Sequence, residues 1–418
     1  MRKVVVNIAR MVLAIVLIFS GFVKAVDPMG TQYKLTDYLT ALHLQMLTSD
    51  FLTLGAAVIL SALEFGLGIC LLFAIRKMAS TTLVLLMMIL MTPLTLWVAL
   101  ADPVTDCGCF GDAIVLTNWQ SFCKNIVLLI MAYIVWKWPH DMVRLISTSG
   151  QWIATNYSAI FIVAVSGWSL YDLPYLDFRP YHVGTDLKKG WQEMMAGKES
   201  PYDEFFIQRV EDGEDITDSL LSSKGYLFLL VAPHVEKADD SQLDLINQMY
   251  EYAEDHGYPF YALTASGEKG IERWRDMTGA EYPFCHTDET TLKTVIRSNP
   301  GLLLLKDGVI IRKWSHNGLP DEYALTDRLE KLKIGQKTND TMTGKILIIA
   351  LWYILPLLLL TIADRLWAWS KWLKRKEQYN KIYQLFKKKT ENEKEHRSRQ
   401  LENEPEPARG CGSGQGTE

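Results

Sequence analysis

The chain contains little cysteine: it has six cysteines among 418 residues, and no two of them form a Cys-x-x-Cys pair. It also lacks phosphate-binding loops, nucleophile triads and the ligand spacings of metal sites, which argues against nucleotide hydrolases, triad hydrolases and metalloenzymes. The net charge is -5 and the main basic cluster adjoins a hydrophobic run, so nucleic acid is a poor candidate partner. Polar residues are rare within the hydrophobic runs, which disfavours a small-molecule transporter.

Hydrophobic residues are abundant but unevenly distributed. They make up 49% of the chain, yet the mean hydropathy is only +0.04. This segregation is typical of a membrane protein that carries a soluble domain. Apolar runs long enough to span a bilayer lie at about 5–26, 51–75, 79–101, 119–138, 152–170 and 345–369. The sequence therefore predicts six transmembrane helices in a lipid bilayer.

Basic residues mark one side of the predicted helices. Arg2 and Lys3 precede the first run, and a strongly basic segment at 371–389 follows the last. By the positive-inside rule these residues belong in the cytoplasm. We therefore expect a multi-pass protein of the bacterial cytoplasmic (inner) membrane with both termini cytoplasmic. Three segments would then be periplasmic: the loop at residues 27–50, the loop before the fourth helix, and residues 172–343. Cleavage of the first run as a signal peptide is an alternative that would not change this sidedness.

Composition divides the chain into five predicted segments. They are a four-helix transmembrane bundle at 1–140, a fifth transmembrane helix at 151–171, a periplasmic domain at 172–343, a sixth transmembrane helix at 344–370 and a cytoplasmic tail at 371–418. The tail is basic near the membrane, as expected next to anionic lipid, and its end has the composition of a disordered segment.

The predicted periplasmic domain alternates strand-like and helix-like stretches. Tyr226 to Ala232 is a continuous apolar run typical of a buried strand, and Gln242 to His256 is amphipathic at helical spacing. The remaining predicted elements are a strand at 260–264, a helix at 268–278, a hairpin that begins at 302 and a closing helix at about 322–332. This order predicts an α/β domain.

This order of elements, with Asn299-Pro300-Gly301 just before the hairpin, resembles the thioredoxin fold, in which a cis proline precedes the third core strand. The resemblance covers about residues 200–333. Catalytic thioredoxins carry a Cys-x-x-Cys after the first core strand, but Pro233-His234-Val235-Glu236 stands there in this chain, and Cys285 is the only cysteine of the domain. We therefore expect a thioredoxin-like module that binds or positions a partner and has no dithiol chemistry of its own.

Two cysteines flank a glycine in the motif CGCFGD at residues 107–112, between the third and fourth predicted helices. A disulfide at this spacing would be strained, and strained disulfides are oxidising and labile. Thr117 and Gln120 form a capping-box pattern that would start the fourth helix and hold Cys123 near the loop. Cys107, Cys109 and Cys123 are therefore the candidate catalytic residues.

Two interpretations of this thiol cluster stay open. Moving between the possible bridges would make a disulfide shuttle, whereas a stable bridge from Cys107 or Cys109 to Cys123 would only link the loop to the helix. A metal site is disfavoured because no histidine lies near the loop and three thiolates do not complete a tetrahedral site.

The first 140 residues resemble the DoxX/MauE family of small four-helix membrane proteins. The resemblance rests on the segment from Ser20 to Pro28, on Glu64 with the glycines that follow it, and above all on CGCFG. It implies a four-helix membrane bundle, and members of the MauE branch are associated with disulfide formation in an exported dehydrogenase subunit. The layout is also similar to quinone-coupled reductases of the vitamin K type, but residues 27–50 lack the second cysteine pair of those enzymes.

Glu64 is the main intramembrane candidate, because a carboxylate in mid-helix is costly unless it is paired, protonated or hydrated. Lys24 is its possible partner. Counted at the helical rise per residue, however, the two residues differ in membrane depth by on the order of 15 Å, so the pair would need an offset between the helices. Two interpretations are open. Glu64 belongs to a site that handles protons or a quinone, or it is a protonated carboxyl group that is hydrogen-bonded inside the bundle. Trp97 and Trp119 border the loop and would line a quinone pocket, or else act as interface anchors.

Two functions follow. The first is a membrane thiol:disulfide oxidoreductase, or an accessory to one, that exchanges disulfides with an exported or membrane protein partner docked on the thioredoxin-like domain. The second is a non-catalytic membrane scaffold or assembly factor whose thioredoxin-like domain binds a partner and whose cysteines only stabilise the fold.

Overall fold

The computed structural model describes residues 1–104, 108–198, 205–338 and 340–402. The chain divides into two units, one of residues Met1–Leu357 and one that begins at Leu358. Both predicted parts of the fold, the membrane helices and the inserted α/β domain, are present.

Six helices among the described residues are long and apolar enough to cross a membrane. They are α1 (Arg2–Val26), α3 (Asp50–Phe73), α4 (Lys77–Ala101), α5 (Asn118–Lys137), α6 (Thr148–Tyr171) and α12 (Met342–Glu402). The predicted membrane helices are therefore confirmed, and the last one continues well beyond the apolar run.

Residues 27–50, expected to be a loop, contain a further helix, α2 (Pro28–Ala41). Asp27 caps it, because the Asp27 carboxylate accepts a hydrogen bond from the Gly30 amide at 2.9 Å. Pro28 occupies the first helical position, where a missing N–H costs nothing. The pair Asp27-Pro28 is therefore the start signal of α2.

Helices α1 and α3 pack with very close backbones. A Cβ added to Gly21 of α1 would lie 2.4 Å from the Phe65 amide nitrogen and 2.7 Å from the Ser61 carbonyl oxygen of α3. On α3, a Cβ added to Gly68 would lie 2.8 Å from the Ile18 amide nitrogen. Small residues on both helices thus permit the contact, as is common between membrane helices.

The α/β domain contains one mixed six-stranded sheet in the order β1-β4-β3-β2-β5-β6. Its strands are β1 (Gln208–Arg209), β2 (Tyr226–Val231), β3 (Phe260–Thr264), β4 (Phe284–His286), β5 (Gly301–Lys306) and β6 (Val309–Ser315). Its helices are α7 (Leu187–Met195), α8 (Thr217–Ser222), α9 (Leu243–His256), α10 (Glu268–Thr278) and α11 (Glu289–Val295). Strands β2, β3 and β4 are parallel, whereas β5 is antiparallel to β2 and β6 to β5.

The centre of this sheet has the thioredoxin-like arrangement. The unit β2-α9-β3 is followed by the hairpin β5-β6, which pairs on the other side of β2. The Asn299–Pro300 peptide bond immediately before β5 is cis, as the resemblance implied. All six residues of β2 are buried, and their alternation supplies a core on each face of the sheet, with Phe228 on one side and Leu229 on the other.

The predicted closing helix at 322–332 does not form, and the structure has a short 3-10 turn there, Glu322–Ala324, followed by irregular backbone. Tyrosines of the core bind the backbone groups that a helix would use. The Tyr252 hydroxyl donates to the Asp327 carbonyl at 2.6 Å, and the Leu329 amide donates to the Tyr258 hydroxyl at 3.1 Å. Leu329 is fully buried, so this segment covers the core without helical structure.

Candidate functional site

The CGC loop, defined here as residues 102–117, connects α4 to α5, and Cys109 within it is disulfide-bonded. Cys107 lies outside the described residues. Cys70, Cys123 and Cys285 are free, so the predicted bridge from Cys109 to Cys123 is not formed. The reason lies in the phase of α5: Ser121 and Asn125 are buried, and Cys123, between them in sequence, is exposed. The predicted bridge to Cys123 is therefore corrected, and the role of Cys107 and Cys109 stays a prediction.

The start of α5 is as predicted, since Thr117 and Gln120 form a capping box. Two glycines give the loop its shape, because Gly108 and Gly111 have φ values of 60° and 52°, in the left-handed region that disfavours side chains. Phe110 is buried between them, 5.5 Å from the Phe19 ring centroid, and the Lys124 ammonium lies 4.2 Å above its ring. Phe110 thus holds this part of the loop against α1 and α5.

Lys24 and Glu64 form a buried ion pair directly behind the loop. The Lys24 ammonium lies 2.7 Å from both carboxylate oxygens of Glu64. Ser20 Oγ lies 2.7 Å from Glu64 Oε2 and 2.8 Å from the carbonyl oxygen of Cys109, and it accepts from Lys24 at 3.0 Å. The side chains of α1 and α3 are therefore connected to the backbone of the CGC loop.

The expected depth difference between Lys24 and Glu64 is wrong, because it assumed helices that end at equal depth. Gly21 lies against Ser61 and Phe65, so α3 extends beyond the end of α1 by on the order of 15 Å. This offset brings the two charges to the same level, and α2 begins where α1 ends.

A cavity of about 120 Å³, here called the membrane cavity, lies between these helices and is lined in part by Cys109. Lys24 and Glu64 form its polar end, and its apolar wall includes Met91 and Leu128. A cavity of about 150 Å³ is known to hold benzene, so this volume suits roughly one small ring.

Trp97 and Trp119 are not among the described residues that line the membrane cavity. On α4 the inward positions are occupied by Thr95 and Val98, and Trp97 lies between them on another face. Trp119 is 54% exposed and contacts the edge of Phe122. The prediction that these tryptophans line a pocket is therefore corrected by the helical phase.

The thioredoxin-like domain docks on the CGC loop through Arg297, three residues before the cis Pro300. The Arg297 guanidinium donates to both carboxylate oxygens of Asp27, at 2.8 to 3.1 Å, and lies 3.8 Å from Asp112 of the loop. Its side chain also lies 5.2 Å from the centroid of the Tyr33 ring on α2. The face of the domain that carries the cis proline is thus joined to the membrane bundle.

The segment where a thioredoxin would carry its dithiol lies near the same interface. Asn299 donates to the His234 carbonyl at 2.8 Å, and the His234 ring lies 2.9 Å from Glu289. Lys237 lies 3.5 Å from Asp50 at the start of α3. No local sequence pattern indicates a role for Arg297, because its partner Asp27 lies 270 residues away in the chain.

Asp27 and Asp112 share Arg297 unequally. Burial opposes ionisation of Asp27, but the Arg297 guanidinium and the hydrogen bond from Gly30 hold its pKa below the ordinary value. Burial raises the pKa of Asp112, and the more distant Arg297 only partly offsets it. The loop therefore carries a carboxyl group that takes up a proton more readily than an exposed aspartate.

Cys285 lies in β4, is fully buried, and burial raises the pKa of its thiol to about 12. A thiol with so high a pKa is a poor nucleophile at neutral pH. Cys285 thus belongs to the core of the domain.

Residues 2–137 match the family model described as "Methylamine utilisation protein MauE". These residues are therefore similar to the MauE family. The match covers α1 to α5, hence the Lys24–Glu64 pair, the CGC loop and the membrane cavity all lie within the matched region. No curated protein matches the chain.

Two solved structures resemble part of the chain. One is described as an "uncharacterized conserved protein from Geobacillus kaustophilus", with 15% identity, a TM-score of 0.24, and coverage of 33% of this chain and 82% of that one. The other is described as a "putative protein disulfide isomerase from Bacteroides thetaiotaomicron", with 15% identity, a TM-score of 0.21, and coverage of 28% and 77%. At these TM-scores neither establishes a shared fold, and the thioredoxin-like assignment stands on the strand order and the cis proline.

Proposed function

We propose that this protein exchanges disulfides with exported protein thiols through a disulfide between Cys107 and Cys109 of the CGC loop. The observation that carries the proposal is the position of Cys109: it is disulfide-bonded and lines a cavity whose polar end is a buried Lys24–Glu64 pair. A disulfide that served only to stabilise the fold would not need an intramembrane ion pair connected to its backbone through Ser20.

The electron balance of this reaction requires an acceptor. Two partner thiols are oxidised to a disulfide, and the loop disulfide is reduced to two thiols, which must pass on two electrons and two protons. A lipid-soluble quinone would supply this chemistry by accepting both. The membrane cavity suits such a ring, since its wall is mostly apolar and Lys24 and Glu64 offer polar contacts at one end.

The proposal includes an orientation and a location. Since basic residues flank the opposite helix ends, we assign the CGC loop and the thioredoxin-like domain to the periplasm of a bacterial inner membrane, with both termini cytoplasmic. Exported proteins acquire their disulfides in that compartment, which makes it the natural place for the exchange.

We propose for the thioredoxin-like domain a role within this chain, which differs from the partner docking expected from the sequence. We expected a partner to dock on it, but the face with the cis proline is occupied by α2 and the CGC loop through Arg297. The proposed role is therefore to hold the CGC loop in place within the same chain. A scaffold without redox activity is the competing function, and the following experiment separates the two.

The experiment counts thiols in intact membranes by alkylation before and after mild reductant. Exchange predicts that two thiols appear in the wild type and in Cys123→Ser, and that Cys109→Ser, which leaves Cys107 unpaired, accumulates mixed disulfides with exported proteins. Cys123→Ser is the matched control because Cys123 is free and exposed. A bridge that resists mild reductant, with no mixed disulfide in Cys109→Ser, would favour the scaffold.

A further inference from the structure

A second, smaller cavity lies on the other side of the CGC loop, beneath the thioredoxin-like domain. This domain-side cavity has a volume of about 40 Å³, and its wall includes Asp27, Asp112 and Arg297. A cavity needs only about 10 to 15 Å³ to hold one water molecule if polar partners surround it. The domain-side cavity therefore has the size and polarity to hold two or three waters.

The domain-side cavity and the membrane cavity share part of their walls. Lys24, Thr31, Lys34 and Gly108 line both of them. Lys24 reaches Glu64 directly, whereas Asp112 faces the domain-side cavity. The shared polar wall residues thus lie between the carboxyl group of the CGC loop and the buried glutamate, and waters in the domain-side cavity would complete a connection between the two.

Disulfide exchange at the loop requires proton transfer. When a partner thiolate attacks, the loop disulfide breaks and the released loop thiolate takes up a proton. The second partner thiol then loses its proton, attacks the mixed disulfide and releases the second loop thiolate, which is protonated in turn. An acid close to the loop would accelerate both releases.

Asp112 is the carboxyl group of the CGC loop that lines the domain-side cavity. It lies in the same motif as Cys109, three residues further along. Arg297 donates to Asp27 at 2.8 Å but lies 3.8 Å from Asp112. Arg297 therefore stabilises the ionised carboxylate of Asp112 less than that of Asp27. The charged groups that act on Asp112 are Asp27 from the end of α1, Lys34 from α2, Arg179 from the segment after α6, and Arg297.

We propose that Asp112 is the proton-transfer residue of the CGC loop, which exchanges protons between the loop thiols and water through the domain-side cavity, with Lys24 connecting this route to Glu64. The proposal rests on the proposed disulfide exchange. It adds a named acid, a route and a role for the docked domain, which closes the domain-side cavity with Arg179 and Arg297.

The test measures how fast dithiothreitol reduces the loop disulfide of the purified full chain between about pH 4 and 8, a range that begins near the ordinary pKa of an aspartate. The rate is divided by the concentration of dithiothreitol thiolate at each pH, which removes the titration of the reagent. For the wild type, this normalised rate should fall as the pH rises through the pKa of Asp112. Asp112→Asn should be at least about 10-fold slower at the acidic end and independent of pH, and Asp112→Glu should restore the slope.

Asp27→Asn is the contrasting variant, because it removes the other carboxylate of the same cavity. Arg297 keeps Asp27 ionised throughout this pH range, so this variant should keep the wild-type slope even if its docking is weakened. Correct folding of each variant is checked by the inaccessibility of Cys285 to maleimide.

The failures of the two proposals are distinguishable. A wild-type loop that dithiothreitol does not reduce would overturn the proposed exchange, and the role of Asp112 with it. A loop that is reduced normally, with the same slope in Asp112→Asn as in the wild type, would overturn only the role of Asp112.

Discussion

Replacing Arg297 with alanine should detach the thioredoxin-like domain from the CGC loop. Removal of one partner from a buried ion pair costs about 3 to 5 kcal/mol, because the remaining charge is left without compensation. We expect the lower end, about 3 kcal/mol, since the Asp27 side chain retains 21% of its exposure and can be hydrated. This corresponds to roughly a 100-fold increase in the undocked population.

Hydrogen exchange read by mass spectrometry measures this opening at the backbone of α2 and of the segment that follows α11. Lys237→Ala is the matched control, because Lys237 pairs with Asp50 across the same interface while both side chains are at least 70% exposed. An exposed pair contributes no more than about 1 kcal/mol, so exchange should change by less than about 5-fold. Equal protection of α2 in Arg297→Ala and Lys237→Ala would refute the inferred anchor.

Further predictions concern the membrane bundle and the loop. Lys24→Met or Glu64→Leu alone should destabilise the protein by about 3 to 5 kcal/mol, and the double variant by less, in thermal unfolding in detergent; additive losses would contradict a coupled pair. Gly21→Ala should lower the melting temperature because its Cβ would lie 2.4 Å from backbone, whereas Gly66→Ala, with open space around it, should not; equal effects would contradict the close contact of α1 and α3. Since burial raises the pKa of Asp112, its contribution to stability is complete below about pH 4 and is lost as the pH rises through that raised value. The melting temperature of Asp112→Asn relative to wild type should therefore be higher at pH 7 than at pH 4, and a constant difference would contradict the shift.

The sequence predicted the elements whose signals are local. The apolar runs predicted the six membrane helices because spanning a bilayer requires about 20 apolar residues in a row. The apolar run at β2 and the amphipathic pattern of α9 were equally direct, and the Asn299-Pro300-Gly301 segment predicted the cis bond. The capping box of α5 was correct because its two hydrogen bonds join residues three apart.

The errors concern features that depend on distant contacts. The predicted closing helix does not form because its backbone makes hydrogen bonds with Tyr252 and Tyr258, which lie some 70 residues earlier in the chain. The depth of Lys24 relative to Glu64 depends on the offset between two helices, which the Gly21 contact sets. The anchor at Arg297 is of the same kind, because a single arginine in a polar segment has no periodic or motif signal.

In the candidate site, too, the local features were predictable and the features that depend on distant contacts were not. The motif at 107–112 indicated thiol chemistry, but the distance from Cys123 depends on which face of α5 is buried, and a capping box does not determine that. Asp112 belongs to the CGCFGD motif, but the sequence indicated no role for it, since its importance comes from sharing Arg297 with Asp27.

The most direct test of disulfide exchange at the CGC loop is a single-turnover measurement. The oxidised full chain in vesicles without an electron acceptor is mixed with one equivalent of a reduced dithiol peptide. The reaction is quenched by alkylation, and the masses of protein and peptide are measured by mass spectrometry. The account predicts that up to one disulfide forms in the peptide per protein, with two new alkylated thiols at Cys107 and Cys109, unchanged in Cys123→Ser and abolished in Cys109→Ser. A peptide that stays reduced, or one that is oxidised equally by Cys109→Ser, would contradict it.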